Sequence, residues 1–156
     1  MIIVAEFTAN IQQVVNPSES IIFTANTVPC RRNLINFIED TGAITLKGYS
    51  PNNQRNCPCC RQNSVNYLVD FGANIAIPTG GTVGAISLAI TIAGTTLPAS
   101  TMIVTPAAVE QFFNVSRAIN VPVLVGCCQA IAIRNTSNQP ILVQNANIIM
   151  FQNRLQ

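Results

Sequence analysis

Residues 120–151, NVPVLVGCCQAIAIRNTSNQPILVQNANIIMF, are the stretch that decides the fold class of this chain. Two apolar runs flank a polar connector, Asn135–Pro140, which is rich in the residues that favour turns. In the second run, apolar side chains occur at both parities: Ile141, Val143, Ile149 and Phe151, and also Leu142, Ile148 and Met150. A strand with one face in water would carry them at one parity only. The stretch therefore predicts strands buried on two sides, in a sandwich whose outer surface is covered, most simply by another copy of the chain.

The charge content supports the same interpretation. Only 9% of the 156 residues are charged, against about 25% in an ordinary soluble domain, while the hydrophobic fraction of 49% is normal. So little ionic surface leaves two ways to keep the protein in solution. Either the surface is made of amides and hydroxyls, or much of it is covered in an oligomer. The many Asn, Gln, Thr and Ser residues favour the first and the two-sided strands favour the second.

Charge and hydropathy also argue against several partners. A net charge of +2 is too small to predict nucleic-acid binding, and no aromatic residues interleave with Arg31-Arg32 or with Arg55 and Arg61. The start of the chain lacks a basic segment and reaches Glu6 after a short apolar run, which does not resemble a secretory signal. The apolar stretches are shorter than the roughly 20 residues that span a bilayer. We expect a soluble protein without nucleic-acid or membrane partners.

Short strand-like runs separated by turn residues recur along the whole chain, whereas a sustained helical period is missing. They predict one all-β domain over residues 1–156, an antiparallel jelly-roll sandwich of about ten strands, with residues 1–13 as part of the sandwich or as an attachment or pairing segment. At most one helical turn is expected, after Thr105-Pro106. The predicted strands are Ile2–Phe7, Ile11–Val15, Ser20–Ala25, Leu34–Ile38, Ala43–Leu46, Val65–Ile77, Val83–Ala93, Met102–Val104, Val121–Arg134 and Ile141–Phe151.

In two of these runs the sequence pattern distinguishes the two faces of the predicted strand. In the run from Val65 to Phe71, the odd positions are large and apolar, whereas Asn66 and Asp70 point the other way, with Leu68 between them. The run Val83–Ala93 has one branched face and one face of small residues. Small side chains allow another layer to approach closely, so the second face is a candidate subunit contact; the alternative is a weakly polar solvent face. The branched face is Ile86, Leu88, Ile90 and Ile92, and the small one is Ala85, Ser87, Ala89, Thr91 and Ala93.

The chain has six cysteines and no histidine. Cys57 and Cys60 form a C-x-x-C pair that could hold Zn²⁺ with two further thiolates, and the adjacent Cys127 and Cys128 are the candidates. Successive residues on a strand point to opposite faces, which makes it difficult for both to bind one ion. The same geometry lets one face the core while the other bonds the Cys57–Cys60 loop. Disulfides, unreacted thiols and a structural metal all remain open for Cys30, Cys57, Cys59, Cys60, Cys127 and Cys128.

The residues for common catalytic sites are missing. Serine or cysteine hydrolase triads of the usual composition need histidine. The six acidic residues are scattered, and only Glu39 and Asp40 are adjacent, in a predicted turn. The run Ile77–Thr82 is glycine-rich but lacks the lysine and spacing of a phosphate-binding loop. We therefore expect neither an enzyme nor a cofactor.

Several segments resemble known proteins. The strand order and the closing strands around RNTSNQPILVQNANII (134–149) are similar to the C1q/tumour-necrosis-factor jelly roll, whose members form tight trimers through apolar faces. FTANTVPCRR (23–32), VDFGANIAIPTGGTVGAISLAI (69–90) and MIVTPAAVEQFFNVS (102–116) resemble short proteins of phages and prophages of gut bacteria, which are virion accessory proteins. The resemblance runs from about Phe23 to Ile149. It implies a fold and a homotrimer, and it brings no catalytic residues.

The predicted function is a non-enzymatic homotrimer, made in the bacterial cytoplasm, that decorates a phage capsid or forms a head fibre. Its partners would be itself and the major capsid protein or another virion protein. The alternative is a receptor- or glycan-binding head that uses the loop Gly48–Asn63. Consecutive strands of a jelly roll often lie in opposite sheets, so the last two strands need not pair with each other. We expect them to form part of an inner layer that lines a three-fold contact. The residues predicted at that contact are Ala85, Ser87, Ala89, Thr91, Val143, Asn145, Asn147 and Ile149.

Overall fold

Residues 2–28, 34–39, 41–48 and 64–153 are described by the structure, a computed structural model, and form strands joined by turns. A single 3₁₀ turn, Pro98–Ser100, is the one helical element of this part of the chain. The strands β1 to β12, in chain order, are Ile2–Ala9, Gln13–Val15, Ala25–Val28, Ile35–Ile38, Ala43–Lys47, Ser64–Ala76, Ile86–Ile92, Thr95–Thr96, Met102–Val104, Phe113–Leu124, Cys128–Asn135 and Ile141–Asn153.

The strands form two antiparallel sheets. Sheet A has the order β10-β6-β12-β1-β3, and β2 pairs with the first part of β12. Sheet B has the order β4-β5-β11-β7-β8, and β9 pairs with β7. The predicted all-β sandwich is confirmed, and β11 and β12 lie in different sheets as expected. Strand β1 lies inside sheet A between β12 and β3, so Ile2–Ala9 completes the sandwich.

The core lies between the two sheets and is filled by branched and aromatic side chains. Phe7 of β1 stacks on Phe37 of β4, with ring centroids 4.4 Å apart, and so connects sheet A to sheet B. Tyr67 of β6 is fully buried, and its hydroxyl donates a hydrogen bond of 2.5 Å to the carbonyl oxygen of Lys47 on β5. Because an unpaired buried hydroxyl costs free energy, this bond lets the core accommodate a tyrosine at its centre.

A β-bulge in β12 explains why its apolar residues occur at both parities. The register against β6 shifts between Gln144 and Asn147, and Asn145 adopts a left-handed φ of 53°. One extra residue reverses which parity faces the core. Val143 therefore points inward before the bulge, and Ile148 does so after it. Leu142, Ile149 and Phe151 are the apolar residues left on the outer side of β12.

Other boundaries differ from the prediction. The run Val121–Arg134 is two strands, because Gly126 at φ 72° turns the chain between β10 and β11. Residues 20–25 are mostly irregular, since Ile21 and Phe23 enter the core while the chain crosses from sheet B to sheet A. The helical turn lies at Pro98–Ser100 rather than after Thr105. Within the described ranges, no helix is long and apolar enough to cross a membrane.

Candidate functional site

The outer side of sheet A is the broadest candidate for an association surface. The strand register places Ala118, Asp70, Ile149 and Glu6 side by side across β10, β6, β12 and β1. The next row contains Asn120, Leu68 and Phe151. A further row contains Ser116, Gly72, Asn147 and Thr8. We call the outward-facing residues of these three rows the sheet A face.

The sheet A face has an apolar centre. Leu68, Ile149 and Phe151 point away from the core, yet each is half-buried by its neighbours on the sheet. Gly72 adds no side chain, and a Cβ there would touch only the Val115 carbonyl oxygen at 3.9 Å. Partly exposed apolar side chains on an open sheet are typical of a surface that another layer covers.

Polar pairs surround that centre. The Asn147 amide donates a hydrogen bond to the Glu6 carboxylate, and the Asn114 amide donates one of 3.2 Å to the amide oxygen of Asn74. These cross-strand pairs occupy the polar groups within one chain. An amide-rich face of this kind can be covered at lower desolvation cost than a charged one, because its hydrogen bonds are already made.

The face also carries negative charge. Asp70 is exposed, and its carboxylate has no hydrogen-bond or ion-pair partner among the described residues. Glu6 lies two strands away in the same row, at a separation of roughly 10 Å by sheet spacing. A second layer placed on this face would have to supply a cation or leave the two carboxylates in water.

The open edge of the sandwich, formed by β10, β9 and the 3₁₀ turn, has the opposite character. In the described part of the chain, β10 has a single hydrogen-bonded neighbour, β6. Arg117 of β10 is exposed and donates a hydrogen bond of 2.7 Å to the Ala99 carbonyl oxygen. Ile103 of β9 is 65% exposed and Phe113 of β10 is 37% exposed. The edge therefore combines one positive charge with apolar side chains.

The structure divides the residues predicted at a subunit contact. Asn147 and Ile149 lie on the sheet A face, and Asn145 is exposed in the bulge beside it. Val143 is fully buried in the core. Ala85 is exposed in the loop before β7, and Ser87 is half-buried, its hydroxyl 2.7 Å from that of Thr136.

The small-residue side of β7 is not open, which corrects the predicted contact. Ala89 and Thr91 are buried within the single chain. Arg134 of β11 lies directly opposite Ala89 on this side, and its guanidinium donates a hydrogen bond to the Gly94 carbonyl oxygen at 3.2 Å. The arginine side chain therefore extends along the face. Ala89, Thr91 and Val143 have no surface left for a second copy.

Two of the six cysteines, Cys127 and Cys128, lie among the residues that the structure describes. Cys30, Cys57, Cys59 and Cys60 lie outside the described residues, as does most of the Gly48–Asn63 loop, so their pairing and metal binding stay predictions. Cys127 and Cys128 are both exposed. Neither of them faces the core, and Cys127 directly precedes β11 rather than lying on it. The Gly48 N–H donates a hydrogen bond of 3.0 Å to the Cys127 carbonyl oxygen, which places the start of that loop beside the two thiols.

We expect Cys127 and Cys128 to be alkylated quickly in the folded protein without reductant, because exposed thiols react in proportion to their thiolate fraction. Peptide mass mapping after brief alkylation checks this. Labelling that required prior reduction would contradict it and would identify a disulfide, whose partner the same map would show.

Groups of three or more metal-ligating side chains do not occur in the described ranges. Sequence reasoning placed Ile149 and Asn147 at a contact but missed Leu68, Phe151 and Arg117. For Leu68 a signal was present, since it shares its parity with Asn66 and Asp70, opposite the core-facing residues of β6. For Arg117 none was, because its role depends on which strand lies at the edge.

Comparison with known proteins shows the fold. No protein-family model and no curated protein match the sequence. Among solved structures, Eiger TNF from S. frugiperda aligns over 100% of this chain and 96% of its own, with a TM-score of 0.68 and 13% identity. The globular domain of zebrafish complement 1qA protein aligns over 94% of each chain, with a TM-score of 0.58 and 13% identity. The chain therefore has a C1q/TNF-like jelly-roll fold, and at this identity the likeness is one of fold alone.

Proposed function

We propose that this protein is a non-enzymatic structural component of a phage particle. In this proposal it assembles as a homotrimer through the sheet A face and sits on the capsid surface as a decoration protein or head fibre. The observation that carries the association is the sheet A face, with a half-exposed apolar centre flanked by amides and two carboxylates.

The open edge of one copy fits the sheet A face of the next. Arg117 supplies the cation that Asp70 and Glu6 lack, while Ile103 and Phe113 supply apolar surface for Leu68 and Ile149. Edge and face are different surfaces of the same chain, so the contact is head-to-tail and has to close into a ring or extend into a filament. The resemblance to C1q/TNF-like jelly rolls favours a ring of three. Such a ring would also cover the free edge of β10, which is otherwise open to strand pairing with other chains.

The placement on a phage capsid rests on the resemblance of residues 23–149 to virion accessory proteins. The composition is compatible with it. A protein that stays attached to a shell benefits from broad neutral contacts that change little with pH. Only 9% of the 156 residues of this chain are charged. The proposed partner is the major capsid protein or another virion protein.

Electron microscopy of particles produced by cells that carry the gene, labelled with an antibody against this chain, tests the proposal. We expect label spread over the capsid surface, because a decoration protein or head fibre occupies many equivalent capsid sites. Purified particles should also contain the chain by mass spectrometry. Particles without the chain, or label confined to tails, would contradict a capsid role.

A further inference from the structure

A cup lies at one end of the sandwich, between the loop that joins β6 to β7 and the loop that joins β11 to β12. It is open to solvent and has a volume of about 340 Å³, near the lower end of the roughly 300–1,000 Å³ that is typical of small-molecule sites. None of its lining residues belongs to the sheet A face or to the open edge, the two surfaces used in the proposed trimer. We call it the loop cup; its lining residues are Thr82, Val83, Gly84, Ala85, Asn138 and Gln139.

The walls of the loop cup are held in place. The Gln139 amide accepts a hydrogen bond of 2.9 Å from the Thr82 N–H and donates one of 2.8 Å to the Thr82 carbonyl oxygen. The Ser87 N–H donates one of 2.7 Å to the Ser137 hydroxyl. Gly81 is needed for this close fit, because a Cβ there would lie 2.6 Å from the Ile77 side chain. A preorganised wall lowers the entropic cost of binding.

The lining is polar but carries no charge. It offers the Thr82 hydroxyl, the Asn138 amide and the aliphatic side chain of Val83, which is 51% exposed. The backbone groups of Val83, Gly84 and Ala85 have no hydrogen-bond partner among the described residues. Backbone groups need a partner, which can be water or a ligand. The cup therefore presents several free donors and acceptors beside one apolar patch.

These features select among ligand classes. A charged ligand would lose hydration without gaining an opposite charge, since no lining residue is ionised. A peptide strand would need a free and extended backbone edge, but Gln139 already occupies both backbone groups of Thr82, and the chain bends at Val83 and Gly84. A neutral sugar offers many hydroxyl groups for the amide, hydroxyl and backbone groups, and a C–H face for Val83.

We propose that the loop cup binds neutral carbohydrate, one or two sugar units at a time. This inference is independent of the capsid role, because it depends only on the geometry of the two loops. It assigns carbohydrate recognition to residues outside the Gly48–Asn63 loop, at the end of the sandwich where β12 begins.

Gly84→Leu is the test variant. A Cβ at Gly84 meets no atom within 4 Å, so the larger side chain can occupy the cup without a backbone clash. Binding is measured on the full chain by saturation-transfer NMR and titration with a panel of neutral and anionic oligosaccharides and an uncharged peptide. We expect the wild type to bind members of the neutral set. In Gly84→Leu the dissociation constant should rise at least tenfold with an unchanged melting temperature.

Two further variants complete the test. Asn138→Ala, which removes an exposed side chain, should weaken the binding of the same sugars. It keeps the test valid if Gly84→Leu folds poorly. Ala107→Leu, an equal enlargement at an exposed position outside the cup, should bind like the wild type. Three outcomes would overturn the proposal: no neutral sugar bound, a preference for anionic sugars or for the peptide, or unchanged binding in a folded Gly84→Leu.

Discussion

Ile149→Arg is expected to convert the proposed trimer, about 50 kDa for three chains of 16.7 kDa each, into single chains. Ile149 lies at the centre of the sheet A face, between Asp70 and Glu6 in the strand register. In a covered interface the new guanidinium would have to lose its hydration. In the proposed contact it would also face Arg117 of the neighbouring copy, and bringing like charges together in an interface costs about 2–5 kcal/mol, which is a factor of about 30–5,000 in the dissociation constant.

The same arginine should be tolerated in the separate chain, because it would lie in partial contact with water beside two carboxylates. Light scattering coupled to size-exclusion chromatography at micromolar concentration measures the mass. Ile38→Arg is the matched control, since Ile38 is 47% exposed on β4 of the other sheet, and it should leave the mass unchanged. A trimer that survives Ile149→Arg would remove the sheet A face from the contact, and a wild type of 16.7 kDa would contradict the trimer altogether.

Tyr67→Ala is expected to lower the free energy of unfolding by about 3–5 kcal/mol, as for other buried aromatic residues. Tyr67 is fully buried near the middle of the core, and its hydroxyl connects β6 to the Lys47 carbonyl oxygen across the sandwich. The truncation removes the ring from the core and the bond between the sheets together. Denaturant unfolding measures the loss at a fixed protein concentration, because dissociation of an oligomer would otherwise contribute.

Tyr67→Phe separates the two effects. It keeps the ring and removes only the hydroxyl, so the expected loss is about 1–2 kcal/mol. A Phe variant as unstable as the Ala variant would show that the hydrogen bond, rather than the packing of the ring, dominates. An Ala variant as stable as the wild type would contradict the buried position of Tyr67.

The fold class could be predicted because alternation along single strands is a local property of the sequence. The odd positions from Val65 to Phe71 are all buried, as their pattern indicates. Strand β12 shows the limit of this approach. Its apolar residues at both parities predict two buried faces, whereas a bulge at Asn145 accounts for much of the pattern by reversing the parity that faces the core.

The candidate site was less accessible to prediction, because it depends on residues distant in sequence. The alternation in β7 separated a branched face from a small one, but it could not show that Ala89 and Thr91 of the small face are buried within the chain. The contribution of Arg117 depends on β10 being an edge strand, which is set by the sheet order. The loop cup requires Thr82 and Gln139 to meet across 57 positions. Period and composition carry no information on such pairings.

The position of β12 between β6 and β1 has a consequence for how the protein is made. Both β1 and β2 are synthesised long before β12 and yet pair with it, and so does β6. A chain that is still being translated lacks the central strand of sheet A, so the ribosome has to release residues 141–153 before that sheet can close. Pairings this distant in sequence fold slowly. Until then one hydrogen-bonding edge of β6 is unpaired, and the nascent chain is exposed to aggregation until β12 has been synthesised.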